Sequence, residues 1–158
     1  MDRSLIILRV VHVGSAMMDR PVAQPAASQR SVVIRAATIL HLVLGLGFGI
    51  GTAITLRSFA RTGELPMTPF GFRSLAGGPF EQLAPAQFTA LGWALVSVCA
   101  LDILAGIWLW QGRRRGGALG LATSPVALAL GVGFALPFLL VGVPIGAALI
   151  LAGRRSLR

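Results

Sequence analysis

The sequence has no lysine, no asparagine and no tyrosine, a single cysteine, two histidines and only five acidic residues among 158. Each shortage excludes something. One cysteine, Cys99, can form no intrachain disulfide and no cysteine-based zinc or haem motif. Two histidines and five scattered acids do not assemble an ordinary zinc site or a bis-histidine haem pocket, so neither a metal nor a cofactor is expected. There is no G-x-S-x-G, no glycine-rich phosphate loop and no group of carboxylates to hold Mg²⁺ for phosphoryl transfer. No catalytic residue is assigned, and an enzyme is not expected. The three missing residue types share AT-rich codons, which points to a high-GC bacterial genome.

What is present is apolar sequence and arginine. Hydrophobic residues make up 55% of the chain and charged ones 12%, with a mean hydropathy of +0.80. A soluble domain carries roughly a quarter charged residues. The 14 arginines give a net charge of +9, which in a soluble domain would suggest nucleic acid. Here they flank long apolar runs, so membrane topology accounts for them and no nucleic-acid partner is expected. The fold class implied is all-α: an integral membrane bundle of four transmembrane helices, the last two forming a short hairpin.

Residues 1–35 read as an N-terminal tail. The stretch from Ser4 to Met18 is apolar but broken by Arg9 and His12, a poor membrane span. Met17 and Met18 precede a polar, proline-bearing segment. Two readings stand: translation starts there, or 1–17 is a short amphipathic helix on the membrane surface. The first span is 36–56, 21 residues without formal charge, about 31 Å at helical rise and matched to a bilayer core. A second span, 88–110, has Trp93 near one end and Trp108 and Trp110 at the other, as interfacial aromatic belts require. Residues 118–152 then run for 35 residues without charge. A straight helix of that length would reach about 52 Å, so it must fold back, with Gly133 and Pro137 marking a turn near Phe134–Phe138. This gives spans of about 118–134 and 138–153, within a transmembrane domain 36–153. The basic C-terminus is 154–158.

Four spans put the tail, the 111–117 loop and the C-terminus on one side, with 5, 3 and 3 arginines; Arg57, Arg61 and Arg73 lie on the other. The positive-inside rule then makes both termini cytoplasmic in a bacterial inner membrane. A re-entrant hairpin at 118–152 leaves the same count, but crossing avoids exposing unpaired backbone to lipid. The loop 57–87, with four prolines and the aromatics Phe70, Phe72 and Phe80, is expected to be an ordered cap over helix ends, more than a partner site. Pro85 suits the first turn of the second span.

Asp102 is the most informative side chain. It lies eight residues from the inner end of its span, about 12 Å deep. A carboxylate there costs several kcal/mol unless neutralised, hydrated or paired, so it should face the bundle interior. The structural role, a hydrogen bond to a neighbouring helix, is preferred to proton or cation binding. His41, about 7 Å deep in the first span, falls within a turn of Asp102 in antiparallel neighbours, and the two form a candidate intramembrane polar pair. Gly45, Gly47, Gly49 and Gly51 form two overlapping small-xxx-small patterns for helix packing, within the chain or between copies. Thr52, Thr55 and Ser97 could join a polar interior nearer the opposite side.

The expected function is that of a non-enzymatic accessory or scaffold membrane protein, whose partners are the lipid bilayer and a membrane protein or a second copy of itself. The alternative is a small transporter or channel that uses Asp102 as its coupling carboxylate.

Overall fold

The computed structural model describes residues 25–67 and 73–157; the two readings of residues 1–17 lie outside them. Four helices account for most of the described chain: α1 (Pro25–Thr62), α2 (Pro85–Trp110), α3 (Arg114–Gly133) and α4 (Pro137–Gly153). A 3₁₀ turn, Pro79–Gln82, lies in the long loop, and another, Arg154–Ser156, follows α4.

Helix α1 is longer than the apolar run that announced it. Residues 25–35, read above as tail, form its first turns, because Pro25 opens the helix and the alanines, Gln29 and the arginines that follow are compatible with it. At the other end it passes through Arg57 and Arg61 to Thr62. The stop is conformational: Gly63 adopts φ +74° and its N–H bonds the Phe59 carbonyl at 2.8 Å. The same device ends α2, where Gly112 has φ +70° and the N–H groups of Gly112 and Arg113 bond Leu109 and Trp108 carbonyls at 2.9 Å each. At the end of α3 the left-handed position is held by Ala135, φ +51°, with Leu136 N–H on the Gly131 carbonyl at 2.8 Å. Pro85 and Pro137 each sit in the first turn of their helices.

Three of the helices are long and apolar enough to cross a membrane: Val32–Thr62 within α1, then α2 and α3. The fourth, with 17 residues, is shorter, about 26 Å at helical rise. Sequential helices pack as antiparallel neighbours, and α4 returns against α1 to close the ring. The register is legible from the glycines. Along α1 and α2, Gly106 meets Leu42, Gly45 meets Ile103, and Gly92 meets Leu56.

Outward faces are as apolar as the interior. Ile39, Val43, Leu46, Ile50 and Ile54 form an exposed stripe down α1, and Phe138, Val141 and Ile145 do the same on α4. In water such surfaces would drive association; together with the three long apolar helices they suggest a membrane protein. The interior has two apolar clusters. Near the long loop, Leu56, Phe88, Leu95, Leu130 and Phe134 pack together; at the arginine-rich end the cluster is Ile34, Ala37, Leu109, Ile150 and Leu157.

Candidate functional site: a polar layer inside the bundle

Between the two apolar clusters lies a thin layer with polar side chains from α1, α2 and α3, closed on its fourth side by Gly146 of α4. From α2 comes Asp102, eight residues before Trp110, hence about 12 Å from the helix end. From α3 comes Thr123, nine residues after Arg114 and about 14 Å in. The Thr123 hydroxyl donates to Asp102 Oδ1 at 2.7 Å, with the Gly120 carbonyl as a longer second acceptor at 3.2 Å. Ser124 donates to that same carbonyl at 2.6 Å. This stretch precedes Pro125, which has no N–H to continue the helical ladder.

His41 of α1 occupies the centre. It is 7% exposed, and its Nδ1 lies 2.8 Å from the Ala37 carbonyl. A carbonyl only accepts, so Nδ1 carries the proton and donates. Glycines from the other three helices wall the ring. A methyl group at Gly120 would stand 3.0 Å from His41 Nε2, one at Gly146 would stand 2.9 Å from Cε1, and one at Gly106 3.5 Å from Cβ. No larger residue fits at Gly120 or Gly146 without moving the imidazole. His41 and Asp102 both border the Gly120–Thr123 turn of α3, yet they do not bond each other: His41 takes its short hydrogen bond from its own helix and Asp102 from α3.

The other candidate residues divide. A methyl at Gly45 would lie 2.8 Å from the Cys99 carbonyl oxygen, and one at Gly49 3.1 Å from Cys99 Cβ, so this pair faces α2. Gly47 and Gly51 have nothing within 4 Å of that position and lie on the exposed flank. Thr52 and Thr55 are buried, whereas Ser97 is exposed and donates to its own Trp93 carbonyl at 2.9 Å. Cys99 is buried and forms no disulfide. Among the described residues no three His, Cys, Asp or Glu side chains gather as a metal set.

Sequence reasoning missed Thr123, Gly106, Gly120 and Gly146. Their common signal was depth: each falls in its run at the level of His41 and Asp102. Helix rotation, which decides whether such residues meet, is not written in a chain of nearly uniform apolarity.

Above this layer, a chain of aromatic rings closes the loop end. Phe59 and Phe88 have centroids 5.6 Å apart; Phe134 meets Phe88 edge-on at 5.5 Å and Phe80 of the loop at 5.1 Å. The loop is thus seated on the bundle by Phe80 and the buried Leu75. At the opposite end, Arg114 Nε donates to the Leu157 carbonyl at 3.2 Å, joining the start of α3 to the segment after α4.

The chain matches no family model, no curated protein and no solved structure.

Proposed function

We propose that this chain is a four-span inner-membrane protein with both termini cytoplasmic, acting as a non-enzymatic accessory or scaffold subunit. The observation that carries the reading is how the interior polar groups are used. Asp102 accepts from Thr123, and His41 donates to Ala37 while filling a slot walled by glycine. Such groups hold helices in one register and rotation, which suits a part whose task is to present a fixed surface. Full crossing by α4 is supported by its antiparallel return along α3 and by the Arg114–Leu157 contact, which brings its far end back to the level where α3 begins. The arginine excess on that side supports the orientation.

Native mass spectrometry of the mildly extracted protein from its own host tests the role. A stoichiometric foreign subunit is the expected result. A homo-oligomer carrying a small solute overturns it.

A second reading, a proton- or cation-coupled transporter, is favoured by one observation: a carboxylate and an imidazole, Asp102 and His41, border the same turn of α3 inside the bundle. Under that reading Asp102→Asn abolishes coupled flux in protein that still inserts. Under the scaffold reading the same near-isosteric change leaves assembly intact.

A further inference from the structure

One flank of α1, away from the polar layer, carries a feature that neither reading uses. Towards Thr62, a cavity of about 250 Å³ opens between α1, the long loop and the α3–α4 turn, bordered by Gly47, Gly51, Thr52, Thr55, Leu75 and Leu136. Gly47 and Gly51 contribute no side chain and leave a trough along the helix. Thr52 and Thr55 are 3% and 5% exposed, and neither hydroxyl has a hydrogen-bond partner among the described residues. No fully enclosed side-chain oxygen among those residues lacks a partner, so both hydroxyls open onto the cavity. Thr38, Thr62 and Ser97 each return their proton to a carbonyl one turn back, the usual outcome in an apolar helix. Two neighbouring hydroxyls that do not, both opening on one cavity that Ser74 also borders, can donate to a ligand seated there.

The next turns of α1 supply positive charge. Arg57, Ser58 and Arg61 border a shallow depression, and both arginines are exposed and without an ion-pair partner among the described residues. The depth is set independently by Trp93. Gly92 packs on Leu56, so the exposed Trp93 stands level with Thr55, and tryptophan in a membrane helix favours the interface. Apolar trough, hydroxyls and guanidinium groups therefore come at successive levels along the bilayer normal, as acyl chain, ester and phosphate do, with the two arginines on the adjoining exposed side of α1, in a separate depression. A neighbouring helix fits less well, since its carbonyls are already bonded within it.

We infer that this flank binds one anionic phospholipid. Arg57 and Arg61 hold the phosphate, Thr52 and Thr55 donate to an ester carbonyl, and an acyl chain lies over Gly47 and Gly51. The assignment rests on the membrane reading proposed above, so the experiment scores that first: the full-length chain is recovered from membranes washed with alkali. It is then taken into mild detergent, titrated with phosphatidylglycerol or phosphatidylcholine, and read by native mass spectrometry. The expected result is one retained phosphatidylglycerol per chain, not displaced by inorganic phosphate. Retention falls roughly fivefold for each of Arg57→Gln and Arg61→Gln. Thr52→Val/Thr55→Val weakens both lipids, and Arg73→Gln on the loop changes neither. Equal retention of the two lipids, unaltered by the double arginine variant, means annular lipid only and overturns the site. A lipid-free dimer abolished by Gly47→Leu overturns it in favour of a helix–helix contact. Loss of the chain in the alkaline wash refutes the membrane reading itself.

Discussion

The two ends of the bundle fill the same space in opposite ways. At the loop end, four phenylalanines from α1, the loop, α2 and the end of α3 meet in a chain, two contacts edge to face and one tilted, and bulk holds the helices in place. About four to five turns away, one imidazole stands among three glycines, and the backbones come close enough to enclose it. The aromatic end depends on dispersion and ring geometry, which reward size. The histidine layer depends on the absence of side chains, because small residues let the backbones approach closely enough to enclose a ring. The lesson is that the same mutation type should have opposite signs at the two ends: truncation harms one, enlargement the other.

Phe134→Ala is the most damaging way to break the loop end. It removes a ring that is 1% exposed and two edge contacts, and should cost about 3–5 kcal/mol, read as reversible unfolding in detergent by steric trapping. At the other end, Gly146→Val should cost about 3 kcal/mol through overpacking against His41. A double-mutant cycle with His41→Ala sharpens the contrast: the smaller ring site should recover more than half of the loss, whereas no such rescue exists for Phe134. If Gly146→Val is silent, the slot is not tight and the comparison fails. Thr123→Val should cost about 1–2 kcal/mol by orphaning Asp102, and Thr123→Ser less, measured in the same assay. The smallest effect is a gain. Ala135→Gly relieves a left-handed alanine at the end of α3 and should stabilise by about 0.5–1 kcal/mol, while Gly112→Ala at the equivalent turn of α2 destabilises by a similar amount.

The uncharged runs located the helices, because runs of 21 to 35 uncharged residues admit little else in a chain this apolar. The turn before Pro137 was equally legible. The limits of α1 were misjudged, since Arg35 and Arg57 were read as ends; arginine is a good helix former, and the signal that mattered was Gly63. Of the candidate site, the depth of His41 and Asp102 could be read from residue counts. Their partners could not. Thr123 and the three wall glycines meet them only through helix rotation, and rotation is encoded in packing shape instead of in polarity. The four glycines of α1 show the same limit: identical spacing places one pair against α2 and leaves the other on the open flank.

The prolines divide the molecule mechanically. Beyond their first turns α1 and α2 contain none, whereas α3 carries Pro125 and α4 carries Pro144 in mid-helix. Each internal proline deletes one rung of the hydrogen-bond ladder and makes a place to bend. The first two helices are therefore a pair of stiff struts, with a compliant hairpin leaning against them. Any bending of the bundle starts in that hairpin, at the level of Pro125, two residues past the threonine that holds Asp102.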